Sequence, residues 1–545
     1  PDQSYKRTFV SSIDGSVQYY AVQPARPEKN DEAPLALFLT LHGASVEALG
    51  QADAYRGKSW GHIVAPTNRR PYGFDWEDWG RLDAMEVLEL AQKELKTDPL
   101  RTYLTGHSMG GHGTWQVGAT FPDRFAAIAP SAGWISFWSY AGGHRPDKPT
   151  EMEAMLLRAV AASDTLTLAR NYAQYGVYVL HGDADDNVPV AQAREMRKVL
   201  GGFHPDFVYY ERPGAGHWWG GECVDWPPLF EFLGRHKLTP IENVRHVDFV
   251  TASPGVSSRS QWAEIEAQIH ALQPSSVKLS VDPDKRRFSG TSENVARLAL
   301  NLAPLKPDQQ FEVELNGQKI EKIDWPAKSS RLLLKLDSGK SWNVLSESKA
   351  AWKGPHRYGP FKDAFRNRML FVYGTVGAKE ENDWAFAKAR YDAETFWYRG
   401  NGAVDVVADV DFDADKDRDR GVILYGHADS NAAWKTLLGE SPVQVHRGSV
   451  QVGDRTESAD NLACLFLRPR PGSDKASVGV VTGTGINGLR LTDRMPYFVS
   501  GCGYPDCIVL GPDVLERGAE GVRVAGFFGM DWRVESGEFV WAKEK

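Results

Sequence analysis

Residues 102–115 read TYLTGHSMGGHGTW and place Ser108 in the pattern Gly-x-Ser-x-Gly. The stretch before the serine has the character of a strand end, and residues 112–119 after it are compatible with a helix. A strand, a tight turn and a helix in this order form the turn that exposes a nucleophilic serine. The turn requires small neighbours, which Gly106 and Gly110 supply. We therefore predict a nucleophile at Ser108; the alternative is a glycine-rich turn with an incidental serine.

Candidates for an acid and a base follow this serine along the chain, in the order that is usual for such a turn. A serine hydroxyl is a poor nucleophile at neutral pH and needs a neighbouring base. His217 lies in the glycine-rich loop GAGHWW (214–219), directly after the strand-like residues 207–210, and is the predicted base. The acid is expected in HGDADDNVP (181–189), which follows another buried strand. Three aspartates there are candidates for the acid, namely Asp183, Asp185 and Asp186.

Acyl transfer also needs hydrogen-bond donors for the negatively charged oxygen of the tetrahedral intermediate. One donor is expected to be the backbone N–H of Met109, the residue after the nucleophile. The second is expected in the loop LHGAS (41–45), which follows the apolar strand LALFLTL. Ala44 is the predicted second donor, and Gly43 and Ser45 are its alternatives.

Taken together, LHGAS, GHSMGGHGTW, HGDADDNVP and GAGHWW resemble the α/β-hydrolase superfamily, and within it the prolyl-oligopeptidase-like and the feruloyl- and acetyl-esterase branches. The resemblance covers residues 1–240. It implies a Ser-His-Asp triad whose acid is the fifth residue of HGxxDxxVP, Asp185, whereas the residues alone leave Asp186 and Asp183 open. It also implies Asn187 as a contact of the substrate carbonyl, as in dipeptidyl-peptidase-like members, and neither a metal nor a cofactor.

Aromatic residues near these motifs favour an ester substrate. Indole rings bind sugars and phenolic acyl groups well, and we expect Trp218, beside the base, and Trp134 to contact the substrate. Residues 134–175 form a short cap with one helix candidate, which leaves an open site, and no propeller-like repeats precede the motifs. The prediction is a serine carboxylesterase acting on a small-molecule or polysaccharide-linked ester. A prolyl-oligopeptidase-like peptidase and a catalytically silent binding protein are the alternatives.

The predicted pattern of strands and helices changes twice along the chain, which indicates three domains. In residues 1–240 buried strands alternate with helices, the pattern of an α/β fold with a mostly parallel sheet between two layers of helices. Residues 241–360 have alternating apolar and polar positions and an Asn316-Gly317 turn, which predict a β-sandwich-like module. Strands and helices alternate again in residues 361–545, so a second α/β domain, of unknown role, is expected there.

Two motifs in the C-terminal part suggest other functions but are incomplete. GTGING (483–488) matches the dinucleotide-binding pattern G-x-G-x-x-G, but Pro496 soon interrupts the helix that should follow. DVDFDADKDRDR (409–420) spaces its aspartates like a calcium-binding loop, but Ala414 and Arg420 replace the required glycine and glutamate. We therefore expect a glycine-rich loop and a solvated turn at these two places.

The composition predicts a soluble protein that binds neither nucleic acid nor membranes. The 545 residues carry a net charge of −8, and no apolar run approaches the ~18 residues of a membrane helix. Four cysteines are too few for a disulfide framework, although Cys502 and Cys507 are close enough in sequence to bridge. A second copy of the chain, in a homo-oligomer, is a further candidate partner. Because the chain begins at Pro1 without an apolar leader, we expect a removed export signal and an extracytoplasmic rather than a cytoplasmic location.

Overall fold

The computed structural model describes residues 3–27, 34–140, 142, 145–327, 329–337 and 339–543. The strands of its first sheet are β1 (Tyr5–Val10), β2 (Val17–Gln23), β3 (Ala36–Leu41), β4 (Gly61–Ala65), β5 (Thr102–His107), β6 (Ala127–Ser131), β7 (Gly176–Gly182) and β8 (Phe207–Arg212). Their order is β1-β2-β4-β3-β5-β6-β7-β8. The six strands from β4 to β8 in this order are parallel, whereas β2 runs antiparallel to both of its neighbours.

Helices cover both faces of this sheet. They are α1 (Ala48–Asp53), α2 (Asp78–Leu95), α3 (Met109–Thr120), α4 (Phe137–Tyr140), α5 (Glu151–Arg158), α6 (Ala191–Gly201) and α7 (Pro227–Gly234). All six residues of β3 are buried, because an inner strand of a parallel sheet is covered on both sides. Its alternate positions belong to two different hydrophobic clusters, Leu37 and Leu39 to one and Ala36 and Phe38 to the other.

The second part of the chain contains two five-stranded sheets. Their strands are β9 (His246–Thr251), β10 (Arg259–Ser260), β11 (Ala263–Gln268), β12 (Ser275–Asp282), β13 (Arg287–Glu293), β14 (Val295–Asn301), β15 (Phe311–Leu315), β16 (Gln318–Ile323), β17 (Arg331–Asp337) and β18 (Ser341–Leu345). One sheet has the order β10-β11-β14-β17-β18 and the other β16-β15-β13-β12-β9. Inward-facing residues of both sheets, such as Val277 and Leu298, share one buried cluster, as expected for a β-sandwich.

The third part contains a mixed eight-stranded sheet and a separate three-stranded one. Its strands and helices are β19 (Leu370–Tyr373), α8 (Lys379–Gly400), β20 (Asp405–Ala408), β21 (Val422–Tyr425), α9 (Trp434–Leu438), β22 (Val443–His446), β23 (Ser449–Val452), β24 (Arg455–Ser458), β25 (Ala463–Pro469), β26 (Ser477–Gly483), α10 (Ile486–Leu491), β27 (Cys507–Leu510), α11 (Val514–Arg517), β28 (Val522–Phe527) and β29 (Glu538–Trp541). The large sheet has the order β20-β19-β21-β26-β25-β27-β28-β29, and its first four strands are parallel.

The two incomplete motifs of the third part have different surroundings. The segment 483–488 leads from β26 into the short helix α10, so the expected loop is wrong for residues 486–488, which are helical. A Cβ atom on Gly488 would lie 2.1 Å from the carbonyl oxygen of Leu462, so this glycine serves close packing. In the aspartate-rich loop 409–420, the buried guanidinium of Arg470 donates to four backbone carbonyl oxygens, those of residues 414, 416, 417 and 420. A cationic side chain thus already satisfies the carbonyl oxygens of this loop.

The first and third parts of the chain share a hydrophobic core. Trp79 of α2 contacts the rings of Phe396 and Phe498, with ring centroids 5.4 and 5.3 Å apart. Arg69 donates a hydrogen bond of 2.9 Å to the carbonyl oxygen of Gly400. Such contacts pack α8 and the segment around Phe498 against α2 and the loop of Arg69.

The predicted fold class is confirmed: an α/β-hydrolase sheet precedes a β-sandwich and a second α/β sheet. The domain boundaries at residues 240 and 360 stay predictions. The four cysteines, all among the described residues, carry free thiols, so Cys502 and Cys507 are not bridged. Within the described part of the chain, no helix is both long and apolar enough to cross a membrane.

Candidate active site

Ser108 lies on a strained turn between β5 and α3. Its backbone dihedral angles are φ 61° and ψ −121°, in a region that residues with a side chain rarely adopt. A Cβ atom on Gly106 would lie 2.4 Å from the carbonyl oxygen of Gly110, and one on Gly110 would lie 1.8 Å from that of Leu41. The turn therefore closes only because both flanking residues are glycines, and it presents the serine side chain at the carboxyl edge of the sheet.

A continuous chain of hydrogen bonds joins the predicted nucleophile, base and acid. The Nε2 atom of His217 lies 2.9 Å from the Oγ atom of Ser108. Its Nδ1 atom lies 2.8 and 3.0 Å from the two carboxylate oxygens of Asp185. A carboxylate can only accept a hydrogen bond, so Nδ1 carries the proton and donates a hydrogen bond to Asp185. Nε2 is then unprotonated and accepts a hydrogen bond from the serine hydroxyl.

The carboxyl group of Asp185 is held in its ionised form. Its side chain is fully buried, and burial raises its pKa. Hydrogen bonds from His181, His217 and the backbone N–H groups of Asn187 and Val188 outweigh that effect and hold the pKa of this carboxyl well below its usual value. Asp185 is thus a permanent negative charge beside an imidazole that must become cationic when it takes a proton.

The other two aspartates of HGDADDNVP have different surroundings. Asp183 is exposed and accepts a hydrogen bond of 2.6 Å from the backbone N–H of Gly214, at the start of the loop that carries the histidine. Asp186 is exposed as well. Of the three candidates, only Asp185 meets the imidazole of His217, which is the arrangement that the family pattern implies.

Two histidines whose roles the sequence motifs do not indicate also support the chain of hydrogen bonds. The Nε2 atom of His107 donates a hydrogen bond of 2.9 Å to the backbone carbonyl oxygen of His217. Burial, and then the nearby imidazole of His217, lowers the pKa of His107 to about 3, so its ring is neutral at ordinary pH. The Nε2 atom of His181 lies 3.2 Å from a carboxylate oxygen of Asp185. Their positions inside GHSMG and HGDADDNVP were the available signals.

We predict that His107 positions the base. Replacing it with alanine removes the hydrogen bond to the loop of His217 and is expected to lower kcat about tenfold with little change in KM. Glutamine, whose side-chain N–H can reach the same carbonyl oxygen, should restore most of kcat. Because His107 stays neutral down to a pH of about 3, the ratio of wild-type to H107A activity should be constant between pH 5 and 9. A ratio that changes across this range would contradict a positioning role.

The oxyanion-binding region is formed by the turn after Ser108 and the loop after β3. Met109 is the first residue of α3, where a backbone N–H has no partner inside the helix. A Cβ atom on Gly43 would lie 4.0 Å from the serine Oγ atom, so this loop borders the nucleophile. Ala44 follows and is exposed. The alternative Ser45 is wrong, because its N–H already donates to the carbonyl oxygen of Pro71, 3.0 Å away.

The three predicted substrate contacts differ in exposure. Trp218 is 55% exposed, and its ring packs edge-on against His107 beside the base. The side chain of Asn187 is exposed at the same edge, on the loop that holds the acid. Trp134 is only 5% exposed and lies parallel to the rings of His112 and Tyr140, with centroids 4.6 and 4.7 Å away. The prediction that Trp134 contacts substrate is therefore corrected, because these stacked rings cover the indole.

The strand order of the first sheet and its serine turn at the end of β5 are those of the α/β-hydrolase fold. The histidine and the aspartate follow β8 and β7, in the chain order Ser, Asp, His of that fold. The class of protein that these features define is the serine hydrolases of the α/β-hydrolase superfamily. Among the described residues, no cluster of three or more His, Cys, Asp or Glu side chains could hold a metal ion.

The chain is similar to one known protein family and to several known proteins. Residues 64–225 match the Prolyl oligopeptidase family. An uncharacterized secreted protein of Arthroderma benhamiae is 23% identical in an alignment of 569 positions that covers 96% of this chain, and the chain spans 58% of that relative's length. A ferulic acid esterase structure (20% identity, TM-score 0.34) is covered over 98% of its length and 43% of this chain. An acylaminoacyl peptidase of Pyrococcus horikoshii (20% identity, TM-score 0.33) is covered over 42% of its length and 44% of this chain.

Proposed function

We propose that this protein hydrolyses carboxylic esters through Ser108, His217 and Asp185. The serine Oγ atom attacks the acyl carbon while His217 takes its proton at Nε2 and then gives it to the leaving alcohol. Water attacks the acyl-enzyme in the second half of the reaction, with His217 again taking the proton. Asp185 holds the imidazole in the required tautomer and stabilises its cationic form. The observation that carries the proposal is the unbroken chain of hydrogen bonds that ends on the strained serine turn.

In this mechanism the backbone N–H groups of Met109 and Ala44 stabilise the oxyanion. The first belongs to the N-terminus of α3, whose positive dipole end favours a developing negative charge. The second follows Gly43, which borders the serine side chain. The carbonyl oxygen of a bound ester would accept hydrogen bonds from both groups as it becomes negatively charged.

The openness of the site supports an ester carried on a small molecule or on a polysaccharide. Ser108 is half-buried, and the neighbouring Asn187 and Trp218 are exposed to solvent. An exposed indole beside the base is suited to stack on a sugar or on a phenolic acyl group. A site of this shape can approach an ester group on a bulky carrier without enclosing the carrier.

A panel of substrates tests ester against peptide specificity. We expect alkyl esters of acetate, ferulate and longer acids to be turned over with kcat/KM values at least about a hundredfold above those of matched peptide anilides, and the anilides to stay at the background rate. The name of the matching family favours the competing assignment, a serine peptidase. Anilide turnover that exceeds ester turnover would support the peptidase and overturn the esterase proposal.

We also propose an extracytoplasmic location. The support for it is the Arthroderma relative, which aligns with 96% of this chain and is described as secreted. Fractionation of the source organism, followed by antibody detection, checks it. Recovery of the protein in the cytoplasmic fraction alone would contradict this location.

A further inference from the structure

A cavity of about 100 Å³ lies where the three parts of the chain meet. Its walls come from α2 and residues 158–163 of the first part, residues 253–256 of the second, and residues 359–366 and 502–503 of the third. None of the three residues of the proposed triad lines it. The cavity is therefore separate from the candidate active site.

The cavity is lined by more positive than negative side chains. Four of its lining residues are cationic and two are anionic. Three of the cations form ion pairs with carboxylates, namely Arg158 with Glu538 at 2.5 Å, Lys362 with Asp78 at 2.9 Å, and Arg366 with Asp363 at 2.9 Å. The fourth cation is Arg81.

The side chain of Arg81 has no direct partner. It is only 6% exposed, and its guanidinium forms neither a hydrogen bond nor an ion pair with any residue that the structure describes. Burial lowers its pKa, and the more distant carboxylates of Asp78 and Glu77 act in the opposite direction. Its guanidinium nitrogens are not enclosed by protein, so they face the cavity and can donate hydrogen bonds to a ligand there.

A second polar group of the cavity wall is also unsatisfied. Ser253 is 2% exposed, and its hydroxyl has no hydrogen-bond partner within the described part of the chain. Buried hydroxyls nearly always have a partner. This oxygen is enclosed by protein rather than open to the cavity, so Arg81 is the residue that presents an unpartnered polar group to this space.

We propose that this cavity binds a small oxyanion, a carboxylate or a phosphate, at the guanidinium of Arg81. The planar guanidinium can donate two parallel N–H groups to two oxygens of such a ligand. Because the walls come from three parts of the chain, the bound anion stabilises their mutual arrangement.

The test is thermal unfolding of the full chain in increasing sodium acetate or sodium phosphate, with the ionic strength held constant by sodium chloride. A ligand that binds only the native state raises the unfolding midpoint in a saturable manner. We expect this response in the wild type and its loss in R81M, with an apparent affinity at least about tenfold weaker. Without oxyanion, R81M should be as stable as the wild type or more so, because the unpaired charge is gone.

Comparing the responses to acetate and to phosphate shows which kind of oxyanion the cavity binds. A response to acetate alone identifies a carboxylate site, suited to an organic acid such as a hydrolysis product, and a response to phosphate identifies a site for the inorganic ion. Should R81M not fold, R81K decides: its ammonium keeps the charge but cannot donate two parallel N–H groups, so we expect it to weaken the response severalfold. An absent response in the wild type, or an equal response in the wild type and the variants, overturns the proposal.

Discussion

Replacing Ser108 with alanine is expected to lower kcat for p-nitrophenyl acetate by about 10⁴- to 10⁶-fold, because no other group can form the acyl-enzyme. Binding and oxyanion stabilisation do not depend on the serine Oγ atom and should give a small residual rate. Initial rates at saturating ester measure the effect. Labelling of the protein with a fluorophosphonate probe should disappear in the same variant.

A matched control is Ser59→Ala, which removes the same hydroxyl from an exposed residue of the same part of the chain. This control should keep the wild-type kcat and full labelling by the probe. Two results would contradict the serine hydrolase mechanism. The first is retained turnover by S108A, and the second is a wild-type protein that neither hydrolyses esters nor reacts with the probe. The second result would instead support the catalytically silent binding protein.

The sequence predicts the first part of the fold well because its signals are local. The pattern around Ser108 requires a strand, a strained turn and a helix, and the steric contacts of Gly106 and Gly110 show why other residues cannot replace these glycines. The position of His217 after a strand follows from the regular alternation of strands and helices in this part of the chain. Parallel strands bring their carboxyl ends to one edge of the sheet, so order along the chain is enough to predict that these loops meet.

Features that depend on contacts between distant residues were not predictable. The role of His107 depends on a carbonyl oxygen 110 residues away, and nothing in GHSMG specifies that contact. The exposure of Trp134 is determined by Tyr140 and His112, which cover its ring. Arg81 lies in an ordinary amphipathic helix, and only the packing of three chain segments leaves it without a partner.

The sequence also does not determine which of the three aspartates of HGDADDNVP is the acid. They occupy three of four consecutive positions, and which side chain points toward the histidine depends on how the loop turns after β7. In the structure, the N–H groups of Asn187 and Val188 donate to a carboxylate oxygen of Asp185 and thereby orient it. The family pattern implied the same residue, but the physical reason is this pair of backbone hydrogen bonds.

Replacing Asp185 with asparagine is expected to lower kcat by about 10³- to 10⁴-fold. The amide has the shape of the carboxylate, but it carries no charge to stabilise the imidazolium and can donate to Nδ1, which favours the wrong tautomer of His217. Asp186→Asn is the matched control, since it makes the same chemical change at an exposed neighbour, and its kcat should stay within about twofold of the wild type. Equal losses in both variants would contradict the assignment of the acid.

The stability of D185N should also depend on pH. Because the pKa of Asp185 is lower in the native state than its usual value near 4, the ionised carboxylate stabilises the native state at every pH above that value. The stability advantage of the wild type over D185N is therefore expected in full at pH 7 and should shrink as the pH falls below about 4, where the unfolded state takes up the proton first. Urea unfolding of both proteins at pH 7 and pH 3 measures this difference. A stability difference that grows toward acid would show that burial, rather than the four hydrogen bonds, dominates the free energy of this carboxylate.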